Sequence, residues 1–168
     1  MKVDPNLSVP EILAVAIRAE ISAQNIYRAM GDRIKNEIVK EKFSHLYEQE
    51  KKHEEILTQK YKEVTEGEEP VLGEKGRSEV DELLQGDYSH EAALKLAIDA
   101  EERAANFYLE AAKISRDANG RFMFEYLANF ERGHKEILED ELRALENNPH
   151  WFDVEGNPWG DETIHVGP

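Results

Sequence analysis

Apolar residues recur at intervals of three or four positions through four long segments of this chain, which is the spacing of one face of an α-helix. Before the first segment, Ser8 followed by Pro10 and Glu11 forms a typical helix start, and Asn-Asn-Pro follows the last segment. The pattern therefore predicts an all-α fold with four helices, over approximately residues 10–33, 37–64, 90–115 and 121–146.

The connections between these segments predict two helical hairpins. Gly31 and Asp32 mark a short break after the first helix, so residues 10–64 are expected to form one antiparallel hairpin and residues 90–146 a second. Residues 65–89 are richer in glycine and contain only a brief helical pattern. A connection of that length is typical of a crossover along a four-helix bundle, or of hairpins exchanged between two chains.

These elements are expected to form one domain, because a chain of 168 residues is long enough for a single hydrophobic core. We predict a four-helix domain over residues 1–147 and an irregular tail over residues 148–168. The aromatic residues of the tail are expected to pack on the bundle or on a partner subunit.

The second hairpin repeats the first. A shift of 81 positions aligns residues 16–27 with residues 97–108, and about half of the letters match. The same shift aligns residues 43–57 with residues 124–138. Because one shift fits two separate matches, the repeat indicates that a whole hairpin was duplicated.

Ionisable residues interrupt the apolar face of each helix. On the second helix, Glu50 and His53 lie in line with Phe43, Leu46 and Leu57. Buried ionisable groups need compensation, since a dry and unpaired one is costly. If the two hairpins pack pseudo-symmetrically, four carboxylates and two imidazoles meet at mid-height in the core: Glu20, Glu50, His53, Glu101, Glu131 and His134.

Four carboxylates in a core of low dielectric repel one another and need positive charge between them. No Lys or Arg falls on the predicted inner faces. Two divalent cations would balance the carboxylates, and oxygen ligands with one imidazole per metal suit iron or manganese, with zinc as an alternative occupant. Two Glu-x-x-His helices and two single-Glu helices are the known arrangement of di-iron carboxylate bundles.

The composition argues against other classes of function. The formal net charge of −15 does not suit binding to nucleic acid or to an anionic membrane, because both require clustered Lys and Arg. The absence of cysteine excludes disulfides and thiolate metal sites. No signal peptide or membrane span is evident in the sequence, so a cytoplasmic protein is expected.

With these residues, the chain resembles the ferritin-like di-iron carboxylate superfamily and, within it, a rubrerythrin, over residues 10–146. The resemblance implies a ferritin-like four-helix bundle with a long crossover connection and two bound iron ions. It also implies the roles of the ligands. Glu20 and Glu101 would be terminal ligands, and Glu50 and Glu131 would bridge the two metals. His53 and His134 would each cap one metal.

Two tyrosines are candidate catalytic residues by the same resemblance. Tyr27 and Tyr108, each seven residues after its glutamate, match tyrosines that lie beside the metal-bound carboxylates of such proteins. The alternative is that both are core aromatic residues with a satisfied hydroxyl group.

Two features of the sequence differ from rubrerythrins. Their third helix carries a second glutamate one turn beyond the ligand glutamate, and this chain has Ala104 at that position. Glu102, adjacent to Glu101, lies off the inner face. Their cysteine-rich rubredoxin domain is also missing from this sequence. A peroxide-reducing reaction would therefore need an external electron-donor protein.

The resemblance implies a di-iron oxidoreductase that reacts with hydrogen peroxide or dioxygen and protects against oxidative stress. A ferroxidase or iron-storage protein would use the same site, and a structural bundle with a degenerate, empty site is a third hypothesis. We expect a homodimer, with exchanged hairpins as one arrangement, and no nucleic acid or membrane as a partner.

Overall fold

The computed structural model describes residues 7–72 and 88–155, and in these residues it contains four α-helices and no strand. A short 3-10 helix, Trp151–Asp153, follows the last of them. The prediction of an all-α fold is confirmed, and the helices are α1 Val9–Arg33, α2 Glu37–Val64, α3 His90–Ile114 and α4 Ala118–Asn147.

The helices pack as two hairpins that form a four-helix bundle. α1 packs along α2, and α3 packs along α4. Across the hairpins, α1 contacts α3 and α2 contacts α4. The bundle therefore has two faces between the hairpins, which we name the α1–α3 face and the α2–α4 face.

Each helix begins at a side chain that satisfies free backbone N–H groups. Ser8 and Glu11 form a reciprocal capping box at the start of α1. Asn36 and Ser89 accept backbone hydrogen bonds at the starts of α2 and α3. Asp117 does so for α4, which begins at Ala118 rather than near residue 121 as the apolar pattern predicts, because the first turn of α4 is polar and capped.

The core consists of two apolar clusters, one on each side of the middle of the bundle. One cluster contains residues from all four helices, such as Leu13, Leu57, Tyr108 and Leu127. The other also draws on all four, and it is built around residues such as Met30, Phe43, Leu94 and Leu138. The ionisable residues of the inner faces lie between these clusters in the same four helices. The packing of the two clusters therefore fixes the positions of the ionisable side chains.

The residues after α4 cover one end of the bundle. Phe152 is fully buried, and its ring lies 6.2 Å from Phe43 and 4.9 Å from His90. Its carbonyl accepts hydrogen bonds from the backbone of Lys35 and Asn36 in the turn between α1 and α2. The expectation that aromatic residues of the tail pack on the bundle holds for Phe152, while residues 156–168 lie outside the described part.

Most of the long connection also lies outside the described residues, including the brief helical pattern over residues 79–85. Thr65 ends α2 by donating its hydroxyl to the carbonyl of Tyr61. Within residues 7–72 and 88–155, none of the helices has an apolar stretch long enough to cross a lipid bilayer.

Candidate metal centre

The six ionisable residues predicted from the repeat lie together in the middle of the bundle. α1 and α3 each contribute one glutamate, and α2 and α4 each contribute a glutamate and a histidine one turn later. All six side chains are buried, with at most 3% of each residue exposed, and they are Glu20, Glu50, His53, Glu101, Glu131 and His134. Burial of this degree leaves these side chains dependent mainly on one another for compensation.

The ligand atoms form two overlapping groups. One group comprises Glu20 and His53 together with Glu50 and Glu131, and the other comprises Glu101 and His134 with the same two glutamates. Within each group all four ligand atoms lie within 4.8 Å of one another. Each group offers three carboxylates and one imidazole, and the two groups share Glu50 and Glu131. This is the arrangement required for two adjacent cations joined by two carboxylates.

Both imidazoles direct Nδ1 toward the carboxylates. His134 Nδ1 lies 2.7 Å from Glu50 and 3.1 Å from Glu131, and His53 Nδ1 lies at 3.1 Å and 3.4 Å from the same two side chains. The outer glutamate of each group is slightly farther, with Glu20 at 3.6 Å from His53. The Nδ1 atoms therefore occupy the side of each ring from which a shared cation could be bound.

The electrostatics of the cluster show how strongly it attracts positive charge. Burial and the neighbouring carboxylates raise the pKa of Glu20 and Glu101 well above the usual range. Burial alone would lower the pKa of His53 and His134, but their contacts with the glutamates outweigh it and raise both to about 12. Burial opposes ionisation of Glu50 too, but the two imidazoles hold its pKa below the usual range. Without metal, protons supply the compensating charge.

Within the described part of the chain, two carboxylate oxygens of the cluster have no hydrogen-bond partner. They are Glu50 Oε1 and Glu131 Oε1, both fully buried. Glu50 Oε1 does approach His134 Nδ1, but this close ionic contact lacks the geometry of a hydrogen bond. Buried oxygens without hydrogen bonds are costly, and these two belong to the glutamates shared by both groups. The donor set therefore fits a pair of oxygen-preferring divalent cations.

The two tyrosines predicted to lie beside the carboxylates do so across the hairpins. The Tyr27 hydroxyl on α1 donates to Glu101 on α3, and the Tyr108 hydroxyl on α3 donates to Glu20 on α1. Both rings are fully buried. Burial and the charge of Glu101 raise the pKa of Tyr27 well above the usual range, so its phenol keeps its proton. Each tyrosine thus holds the outer glutamate of the opposite hairpin.

A cleft on the α1–α3 face reaches the cluster. Its volume is about 320 Å³, and small side chains form its walls, among them Ala19 and Ala23 of α1 and Ala100 and Ala104 of α3. All four glutamates of the cluster line it. Ala104 therefore leaves open space near the carboxylates. Glu102, which follows Glu101 in α3, points outward and pairs with Lys135 at 3.0 Å.

The α2–α4 face holds two residues that the sequence reasoning missed. Gln49 Oε1 lies 3.0 Å from His134 Nε2 and accepts its hydrogen bond. The Phe130 ring lies edge-on to His53, with the ring centres 5.3 Å apart. Both residues directly precede a predicted glutamate ligand, and the 81-residue shift aligns them with each other. Their mismatch in the repeat was the signal that could have identified them.

A fifth buried glutamate lies apart from the cluster and was also missed. Glu141 of α4 is 2% exposed and accepts from Lys42 and from Trp151 Nε1. Its position, three residues after Leu138 and four before Leu145, places it on the same inner face, which is the signal that helical spacing offered. Its partners satisfy it locally, so it ties the C-terminal segment to α2 and α4.

Comparisons with known proteins agree with this architecture. The model of the rubrerythrin family matches residues 11–142 and again residues 92–161. A solved structure of a hypothetical protein from Pyrococcus furiosus is similar, with a TM-score of 0.72 and 33% sequence identity over 84% of this chain and 92% of that chain. No curated protein sequence shows a significant match.

Proposed function

Because this chain belongs to the rubrerythrin family, we propose that its buried cluster binds two iron ions and that the protein reduces hydrogen peroxide or dioxygen. The observation that carries the proposal is the pair of overlapping ligand groups that share Glu50 and Glu131. Two divalent ions would replace the protons that compensate the cluster and would give the unpartnered oxygens of both glutamates a ligand.

The proposed roles follow the positions of the side chains. Glu50 and Glu131 would bridge the two ions, because each belongs to both groups. Glu20 with His53, and Glu101 with His134, would complete one position each. Iron in these positions would supply the electrons that reduce an O–O bond. The reduction of one hydrogen peroxide to two waters takes two electrons and two protons, so one peroxide matches the oxidation of two ferrous ions.

The chain itself would control access and geometry. The cleft on the α1–α3 face would give a small uncharged oxidant a route to the carboxylates, because its lining is largely apolar apart from the glutamates, Ser22 and Arg103. Tyr27 and Tyr108 donate hydrogen bonds to the outer carboxylates, so we propose them as residues that position the ligands. The raised pKa of Tyr27 keeps the proton of its phenol beside the site. An external protein would return the electrons, because the chain has no cysteine for an iron–sulfur centre.

A single-turnover experiment tests the reaction. Protein loaded anaerobically with Fe(II) is mixed with a limiting amount of hydrogen peroxide, and the optical spectrum and the remaining peroxide are followed together. We expect one peroxide consumed for each pair of oxidised irons, at a rate well above that of the same Fe(II) in buffer. Consumption no faster than in buffer would refute the proposed reaction.

Ferroxidase or iron-storage activity is the second candidate function. The acidic composition of the chain favours this function because negative charge attracts cations. The formal net charge of −15 raises the local concentration of Fe(II) around the protein. The two functions differ in the fate of the iron after it has been oxidised. An iron-handling protein releases or accumulates Fe(III) and takes up further Fe(II), whereas the oxidoreductase retains two irons through repeated cycles with a reduced donor protein.

A further inference from the structure

The outer nitrogens of the two histidines have different surroundings. His134 Nε2 donates to Gln49 Oε1 at 3.0 Å. Phe130, which the repeat aligns with Gln49, places its ring beside His53 with the ring centres 5.3 Å apart, and an aromatic ring has no acceptor in its plane. In the described residues, 7–72 and 88–155, no hydrogen bond to His53 Nε2 is found. The two hairpins therefore supply the same candidate ligands, but the residues that contact the two histidines from outside the ligand groups differ.

The difference arises from a single pair of aligned positions. Gln49 precedes Glu50 on α2 and reaches across to His134 on α4, and Phe130 precedes Glu131 on α4 and reaches across to His53 on α2. Both side chains are half-buried, at the outer side of the imidazoles on the α2–α4 face. Each therefore contacts the histidine of the opposite hairpin without contributing an atom to either ligand group.

A hydrogen bond at the outer nitrogen changes how well an imidazole binds metal. It fixes the proton on Nε2, leaves Nδ1 free as the ligand and holds the ring in one orientation. Loss of such a partner typically costs about 10–100-fold in metal affinity. An aromatic edge supplies packing and excludes water, but it accepts no proton from Nε2.

We propose that Gln49 makes the two metal positions unequal, so that the position of His134 fills first and the position of His53 binds more weakly and exchanges its metal more readily. Gln49 and Phe130 act as positioning residues through the histidines. The inference rests on the proposed metal binding and adds to it an order of filling, which no ligand residue determines by itself.

Zn(II) is a suitable probe of this order, because it is diamagnetic and has no redox chemistry. Metal-free protein is titrated with Zn(II) alone, and the ring nitrogens of both histidines are followed by long-range ¹H–¹⁵N NMR. At one equivalent we expect the His134 signals to have moved to their bound positions while those of His53 are mostly unchanged, as an affinity ratio of about tenfold or more requires. Repulsion between two ions lowers the second affinity in any case, so the identity of the first histidine is the informative result.

Substitutions at the two aligned positions test the cause. Gln49→Leu keeps the size of the side chain and removes the acceptor, so the first Zn(II) is expected to distribute between both histidines. The double variant Gln49→Phe with Phe130→Gln exchanges the two surroundings and is expected to reverse the order. The control His45→Tyr gives an exposed position of α2 the residue found at its aligned position in α4, Tyr126, and it is expected to leave the order unchanged.

The outcomes separate this inference from the proposed function. If wild-type protein binds no Zn(II), and no Fe(II) under anaerobic conditions, both fail. If it binds two ions but the histidines fill in parallel, or if Gln49→Leu leaves the order unchanged, the inference alone is wrong. Gln49 lies at the half-buried edge of the bundle, so Gln49→Leu gives a result even where the double variant does not fold.

Discussion

The two faces between the hairpins use the same duplication in different ways. On the α1–α3 face the outer glutamates and their hydrogen-bond donors are alike: Glu20 matches Glu101, and each accepts from the tyrosine of the other hairpin. On the α2–α4 face the ligands match, but their neighbours Gln49 and Phe130 do not. The first face holds the carboxylates and the cleft, and the second sets the surroundings of the histidines. A duplicated site can thus keep identical candidate ligands while the surroundings of its two histidines differ.

Substitution of a shared glutamate is expected to have the largest effect on metal binding, because Glu50 and Glu131 belong to both ligand groups. Glu50→Ala is expected to remove both metal ions, lowering affinity by more than about 100-fold, whereas Glu20→Ala or Glu101→Ala should each leave one ion per chain. Equilibrium dialysis with metal analysis measures the stoichiometry. Glu141→Ala is the matched control, since Glu141 is a buried glutamate outside the cluster and its loss should leave two ions bound.

The affinity for metal is expected to depend on pH, because groups on both faces bind protons that a metal ion must displace. Without metal, burial and the neighbouring carboxylates raise the pKa of Glu20 and Glu101 and so favour their protonated forms. Contacts with the glutamates raise the pKa of His53 and His134 to about 12, so both imidazoles are protonated near neutral pH. A metal must displace these protons, so affinity is expected to fall by about tenfold per pH unit for each proton released as the pH is lowered. Calorimetry in buffers of different ionisation enthalpy counts the protons; a count of zero would contradict this description of the cluster.

Substitution of the two tyrosines tests whether their hydrogen bonds on the α1–α3 face contribute equally to stability. Tyr27→Phe and Tyr108→Phe each remove the hydroxyl that donates to a buried glutamate. Each should lower the free energy of unfolding of the metal-free protein by about 1–3 kcal/mol, and by similar amounts. Urea denaturation measures both. A large cost for one variant and none for the other would show that only one of the two hydrogen bonds matters.

Substitutions that narrow the cleft have the smallest expected effect. They test whether the oxidant reaches the cluster through the α1–α3 face. Ala23→Leu and Ala104→Leu narrow the cleft from its two sides and should slow the single-turnover reaction with peroxide by about five- to tenfold, a barrier increase of about 1 kcal/mol. Phe122→Ala, at an exposed residue of α4 that does not line the cleft, should leave the rate unchanged. Equal slowing by all three variants would place the route of the oxidant elsewhere.

Much of the architecture could be predicted because it is encoded locally. The helices follow from the spacing of apolar residues, and the six candidate ligands follow from their place on that spacing in two copies. The start of α4 was misplaced because Asp117 caps a first turn with few apolar residues. Spacing along a helix reports which face a residue occupies, and this was enough to identify Glu50 and His53 as core residues.

Contacts between the hairpins could not be predicted in the same way. Tyr27 lies on the same helix as Glu20, yet its hydroxyl donates to Glu101, because the docking of the hairpins decides which carboxylate it meets. The contact of Gln49 with His134 likewise depends on the relative height of α2 and α4. Such pairs are set by tertiary packing, for which one sequence gives no direct signal beyond the mismatch in its own repeat.

The central claim is that this buried cluster is a site for two metal ions, and the number of irons bound per chain tests it most directly. Metal-free protein is incubated anaerobically with excess Fe(II), freed of unbound metal and analysed for iron and protein, in parallel with Glu50→Ala and Glu141→Ala. We predict about two irons per chain in the wild type and in Glu141→Ala, and almost none in Glu50→Ala. Fewer than one iron per chain in the wild type, or equal binding by Glu50→Ala, would contradict the account.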